Sequence, residues 1–341
     1  MAAAGCHARS TKTPCEPPKV VRSPEQLRDF IDMEVVMARY LLFGHLTIDD
    51  TVLPDGRTAM GTVGGNVLYA AIGAHVWTDD LAIVARPGQG YPPILIDELV
   101  ACGYRVDGLI PCESQRIRQW QLYDDEGGRH YVPLASSGSY AELTPRVEEI
   151  PPAVTPGVVG CHIAPLPFEF QVPLVRWAKN RGLRIMLDPH HESINGTAHL
   201  WQSILPAVDV FCPSREEAIS LLEGWNGPEA AARSLADWGA AVVCLKLGAD
   251  GVFVYRAADR ASWLVPTLVE RPIDITGCGD AFCGGFLVGW CEKDDLQVAA
   301  WYGTVSASFV ASDFGGRHAF QVDRGEATRR LATLTTTEVR A

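Results

Sequence analysis

Short runs that are apolar from end to end recur along this chain, and each alternates with segments of helical spacing. The apolar runs fall at residues 38–43, 81–85, 158–163, 183–187, 208–212, 241–247 and 252–256. Helical patterns fall at 66–77, 93–101, 168–180, 214–222, 229–238, 280–291 and 295–311. A strand with no polar side offers no face to water, so it must be covered on both sides. Such strands, alternating with amphipathic helices, predict a doubly wound α/β fold: a mostly parallel central sheet with helices on both faces. The rhythm places one domain at residues 37–330, long enough for a substantial buried core. Residues 1–36 are expected as a partly disordered N-terminal extension. It carries a short helix that starts at Ser23-Pro24, with serine as cap and proline at the first helical position. Residues 331–341 are expected as a C-terminal tail.

Two stretches interrupt the alternation. Residues 47–63 are polar and turn-rich around Pro54-Asp55-Gly56, and residues 116–134 read as a β-hairpin turning at 125–128. Polar and aromatic side chains mix along both arms, which suits a small sheet with one face over a ligand. The formal net charge is −12 with no basic run, so a nucleic-acid partner is not expected. No apolar run approaches the length of a membrane span, and the first residues lack the apolar core of a secretory signal, so no membrane partner is expected either. None of the ten cysteines stands in a C-x-x-C pair. They read as small core residues in a reducing compartment, and the expected location is cytoplasmic.

The densest chemistry lies at residues 274–286. Gly277 and Gly279 bracket Cys278 just before a helix begins, and Asp280 falls in its first turn. Free amides at a helix start hold an anion, and glycines let a phosphate come close to the backbone. A carboxylate beside such a site makes sense when its task is to take a proton from a hydroxyl attacking a phosphate. A plain glycine turn with an acidic residue on the helix dipole would explain Gly277–Asp280 alone. No G-x-x-x-x-G-K-[ST], no G-x-G-x-x-G after the first strand, no H-E-x-x-H and no G-x-S-x-G occurs.

The whole segment resembles the second signature of the ribokinase/PfkB carbohydrate kinases, D-T-x-G-A-G-D-A-F-x-x-G, with Cys278 at the usual alanine. Asp274, Thr276, Gly277, Gly279, Asp280, Ala281, Phe282 and Gly285 match. The resemblance implies Asp280 as catalytic base and Gly277, Cys278 and Gly279 as the anion hole. It extends to Asp49 after the first strand and to Gly64-Gly65-Asn66 at a helix entry, a pairing that binds sugar hydroxyls in that family. Tyr69 stands where many members have a second asparagine. Ser214-Arg215-Glu216-Glu217 resembles the family's N-x-x-E segment, which assigns Glu217 to magnesium through water, with serine in place of asparagine. The same spacing is also a helix capping box, and both can hold. Lys246, Gly248 and Gly251 lie where the family turn meets the nucleotide, with Lys246 at a common threonine position, and Thr276 joins the nucleotide end. Gly315-Gly316 either shape the adenine pocket or stop a helix. Asp188-Pro189-His190-His191-Glu192 reads as a loop at the mouth of the site rather than a metal centre.

The resemblance covers residues 38–320 and implies a lid of two segments, 45–63 and 113–134, over the central sheet. It implies transfer of the γ-phosphate of ATP to a hydroxyl of a sugar or sugar-like molecule, with Mg2+ as cofactor. Asp274 and Thr276 can add a monovalent-cation site. Two other readings stay open: a nucleoside kinase of the same fold, with Trp120 and Tyr69 available to stack on a base, and a silent sugar- or nucleotide-binding regulator. Whether two copies pair as a homodimer through the lid is also left open.

Overall fold

The computed structural model describes residues 37–125, 128–190 and 194–335. The expected extension at 1–36, with its short helix, lies outside the described residues. Strand β1 (Tyr40–Phe43) is followed by β2 (Thr47–Val52), β3 (Thr58–Gly64), α1 (Asn66–His75), β4 (Leu81–Val84) and α2 (Pro93–Ala101). Next come β5 (Ile117–Tyr123), β6 (Arg129–Pro133), the single turn α3 (Tyr140–Leu143) and β7 (Gly160–Ile163). The second half runs α4 (Phe168–Asn180), β8 (Arg184–Leu187), α5 (Ala198–Ile204), β9 (Val210–Phe211), α6 (Arg215–Leu222), α7 (Pro228–Asp237), β10 (Val242–Lys246), β11 (Val252–Arg256) and β12 (Ser262–Val265). Helices α8 (Cys278–Lys293), α9 (Leu296–Val310) and α10 (Arg324–Thr335) close the chain. Because α10 runs through residue 330, the expected boundary between domain and tail falls inside a helix.

One eight-stranded sheet has the order β12-β11-β10-β9-β8-β7-β1-β4, parallel from β4 through β10 and antiparallel at β11 and β12. Successive residues of a strand face opposite sides. Tyr40 and Leu42 of β1 accordingly join one core with α1 and α8, and Leu41 and Phe43 join the other with α4 and α7. Both sides are apolar, as the unbroken hydrophobic runs require. In β10 the same alternation sends Val242 and Cys244 to the α8 side, and Lys246 follows them there.

Helices α1 and α8 meet backbone to backbone. A Cβ on Gly73 would stand 1.9 Å from the Ala281 carbonyl oxygen, and one on Gly284 would stand 1.8 Å from that of Ala70. A methyl at either place would force the helices apart, at about 1–3 kcal/mol for overpacking. This contact fixes the start of α8 relative to the start of α1.

The two interrupting stretches build a separate sheet of order β3-β2-β5-β6, with β2 and β5 parallel. Asp49 lies opposite Gln119 and Thr51 opposite Gln121 on one face, while Asp50 and Trp120 share the other. On that other face the Asp50 carboxylate, buried, takes the Arg118 guanidinium at 2.9 Å.

Candidate active site

The chain leaves β1 for β4 on one side and later for β7 on the other, so a crevice opens between the carboxyl ends of β1 and β7. Asn66 spans it. Its Oδ1 accepts from the His45 amide at 2.7 Å, and its Nδ2 donates to the Pro165 carbonyl at 2.8 Å. The expected acceptor ligand therefore spends one donor and one acceptor position on holding the crevice together. Gly44, Gly64 and Gly65 leave it the necessary room. A Cβ on Gly44 would meet Asn66 Oδ1 at 2.3 Å, and one on Gly64 would meet Asp49 Oδ2 at 2.0 Å. Gly65 has φ +107°, and a Cβ there would touch the His45 carbonyl oxygen at 2.2 Å. Asp49 is buried against this turn, and Gln119 on the neighbouring strand donates from Nε2 to its Oδ1 at 3.4 Å.

The α8 start holds the predicted anion hole. Gly277 is its N-cap at φ 75°, with no side-chain cap. The Cys278 amide turns back to the Ile275 carbonyl at 3.2 Å, which corrects its expected part in the hole. The amides of Gly277 and Gly279 have no protein partner among the described residues. A Cβ on Gly277 would sit 2.1 Å from Cγ of Tyr69, so that ring lies flat against the turn. Tyr69 is buried and packs the hole rather than offering a stacking surface. Burial, then the charges of Asp49 and Asp274, hold its hydroxyl well above the ordinary tyrosine range. One ring thus borders both the acceptor end and the anion hole.

Lys246 sits beside Gly279, whose absent Cβ would lie 3.6 Å from Nζ. The ammonium pairs with the buried Asp188 at 2.5 Å. Burial works against the charge of Lys246, but Asp188, Cys283 and Glu217 outweigh it and hold the proton well above the ordinary lysine range. Burial pushes Asp188 up, against the pull of Lys246, and the nearby Asp280 adds to the rise. Glu217 is likewise raised by burial, with Asp188 contributing. Its Oε2 accepts from the Ser214 amide at 2.7 Å, and Ser214 Oγ accepts from the Glu217 amide at 3.1 Å. The capping box is therefore real, and it leaves one carboxylate oxygen of Glu217 for other use. Asp188 and Glu217 thus share one ammonium, and Asp280 stands near Asp188. Gly248 and Gly251 form the turn after β10, both at positive φ, with Arg215 bridging Asp250 and α6.

Several side chains escaped the sequence reading. The inner face of β5 presents Gln119, Gln121 and Tyr123 in alternation. Tyr123 Oη lies 2.6 Å from Thr276 Oγ1, which donates to Gln121 Oε1 at 3.1 Å. Trp120 is on the opposite face, away from the site, because strand alternation sets it against its neighbours. Tyr140 donates to Gln119 Oε1 at 2.8 Å, and His45 Nε2 reaches Thr144 Oγ1 at 2.8 Å. Burial lowers His45 to about 3, so it is neutral. Gly315-Gly316 follow α9, and the Gly316 amide donates to the Val63 carbonyl of β3 at 3.1 Å. Asp188 does gather metal-ligating types, though His162 and Cys283 are its companions, within 4.8 Å and buried. Lys246 already balances that carboxylate. His191 and Glu192 lie outside the described residues.

Residues 172–322 match the family model described as pfkB family carbohydrate kinase. The chain is 27% identical to a cytidine kinase of Thermococcus kodakarensis over 281 residues, 82% of this chain and 98% of that enzyme. It is 24% identical to an ATP-dependent ribose-1-phosphate kinase of Halopiger xanaduensis, over 84% of this chain and 96% of that enzyme. An Escherichia coli protein described as a ribokinase II, solved with ATP and Mg2+, superposes with a TM-score of 0.70 at 16% identity, covering 87% of this chain and all of that one. No helix among the described residues is long and apolar enough to cross a membrane.

Proposed function

The chain belongs to the ribokinase/PfkB carbohydrate kinases, and from that membership we propose that it moves the γ-phosphate of ATP to a hydroxyl of a pentose-type ring, with Asp280 as base. The observation that carries this is the position of Asp280: the first turn of α8, beside the unpartnered Gly277 and Gly279 amides and the Lys246 ammonium. Asp49 accepts hydrogen bonds from ring hydroxyls and orients the acceptor, with Gln119 holding the carboxylate in place. Asp280 takes the proton of the attacking hydroxyl. The two amides and Lys246 face the charge that spreads over the transferring group. The β2–β3 and β5–β6 lid covers the crevice and keeps water from competing for the phosphate.

Asp188 and Glu217 face one ammonium, with Asp280 near Asp188, and that surplus of carboxylates fits a divalent cation. Glu217, through water, and Asp188 are the residues that would hold Mg2+; when bound, it supplies charge neutralisation along the phosphates. Asp274, buried with Oδ1 on the Thr276 amide and Oδ2 without a partner among the described residues, supports a monovalent cation nearby. The eight described cysteines are free thiols, which supports a cytoplasmic location.

A second reading concerns the acceptor alone. The similarity to a cytidine kinase over 98% of its length favours a nucleoside whose ribose occupies the Asp49 end. ADP release from ATP and Mg2+ in the presence of pentoses, hexoses and nucleosides, each in turn, separates the two. Asp280→Asn should lower kcat by about 10²–10⁴ with an unchanged melting temperature; near-normal turnover of that variant would overturn the assignment.

A further inference from the structure

We propose that β5 is a strap joining acceptor binding to the anion hole, with Gln121 and Tyr123 as positioning residues for the phosphoryl transfer. The proposal deepens the kinase reading and rests on its assignment of Asp49 and of the Gly277–Gly279 turn.

Three side chains two residues apart on one strand face make the connection. Gln119 holds Asp49, while Gln121 and Tyr123 hold Thr276. Gln121 Oε1 can only accept, so the Thr276 hydroxyl must donate to it. Its single proton is then spent, and Tyr123 must donate to Thr276 Oγ1. The direction of the relay is thereby fixed: Tyr123 to Thr276 to Gln121. Thr276 and Gln121 are both buried, where a directed hydrogen bond outweighs its solvent-exposed equivalent. The Thr276 amide is held in turn by Asp274 Oδ1 at 2.8 Å, so backbone and side chain are gripped from opposite sides. One residue later the chain enters the left-handed Gly277 and then presents the Gly279 amide. An extended strand is stiff over this four-residue span. An acceptor that settles on Asp49 and Gln119 therefore seats Gln121 and Tyr123, which seat Thr276, which sets the hole. Without the far contacts the acceptor still binds, but the hole is no longer held in register with it.

The test uses the full chain carrying Tyr123→Phe, and separately Gln121→Leu, since the buried Gln121 site suits an apolar replacement that is no larger. Each variant should lose about tenfold in kcat, with KM for the acceptor within twofold of the parent. ADP formed per phosphorylated acceptor should rise, because the hole and the acceptor no longer engage together. Amide exchange at residues 276–280 should quicken in both. The double variant should lose less than the product of the single losses, since one relay is broken either way. If Tyr123→Phe melts early, Gln121→Leu decides. Unchanged kcat and unchanged exchange in the folded variants overturn the strap, as does a loss confined to acceptor KM. Should no acceptor be phosphorylated by the parent chain while exchange still quickens in the variants, β5 still holds the turn but the kinase reading falls, and the positioning role falls with it.

Discussion

Replacing Gly277 with alanine tests the anion hole through its geometry. The new Cβ would enter a turn at φ 75° and stand 2.1 Å from Cγ of Tyr69, with both Cδ atoms inside 2.5 Å. The left-handed backbone costs an L-residue about 1–2 kcal/mol, and overpacking against a ring that cannot move adds about 1–3 kcal/mol. Tyr69 has little room to retreat, because the side chain is buried. The turn must give instead, and it carries the Gly279 amide and Asp280 with it. A displacement of about 1 Å at the reacting groups is enough for a hundredfold loss of kcat. Urea unfolding should report a loss of about 2–5 kcal/mol, the sum of the two costs. In a Tyr69→Ala background the overlap is gone, and the further loss on adding Gly277→Ala should shrink to the backbone cost of about 1–2 kcal/mol. Equal losses with and without the tyrosine ring, or wild-type turnover of the single variant, would show that the ring and the turn are not coupled.

Three further outcomes follow from the same site. Lys246→Met leaves the Asp188 carboxylate buried without its cation and should cost about 3–5 kcal/mol in urea unfolding. Asp188 already has a raised pKa and loses its one counter-charge, so this cost should be greatest at alkaline pH and fall as acid protonates the group. The apparent affinity for Mg2+, read from the metal dependence of turnover, should weaken on acidification at a pH well above the ordinary glutamate range, because Glu217 is raised by burial and must lose its proton to serve; Glu217→Gln should flatten that dependence. Asp49→Asn should raise KM for the acceptor about tenfold to a hundredfold through loss of charged hydrogen bonds, while kcat moves only a few-fold, and a selective fall in kcat would place Asp49 in the chemistry instead.

The candidate catalytic segment is legible in the sequence because its pattern is local: two glycines, a helix start and a first-turn carboxylate lie within four consecutive positions, Gly277 to Asp280. The central sheet was readable for a similar reason, since strands buried on both faces must be apolar throughout. Lys246 can be read as a candidate phosphate-side cation, yet its partner Asp188 is 58 residues away and belongs to a different strand end. Only the order β10-β9-β8 brings those two ends under one helix. For Trp120 the sequence leaves base stacking and lid packing equally open, because pairing, not residue size, decides which face of a strand it joins. The alternation of Gln119, Gln121 and Tyr123 was visible, but its direction depended on the register with β2 that sets Asp49 opposite Gln119.

Tyr69 gives the deeper reason why such a site is read only in part. Taken alone, an aromatic at a position where relatives carry asparagine suggests a wider or more aromatic acceptor pocket. Taken alone, Gly277 suggests only a turn that needs positive φ. The two are one feature: the ring fills the volume that the missing Cβ leaves, and it borders Asp49 while doing so. The departure at 69 therefore changes how the anion hole is supported before it changes what the pocket admits. Under the kinase reading Gln121 and Tyr123 are taken up by Thr276, and the acceptor end is left to Asp49 and the Gln119 amide of β5. A hydroxyl-rich, uncharged ring suits those groups better than a phosphorylated one, since a phosphate placed at Asp49 would meet a like charge in a buried setting.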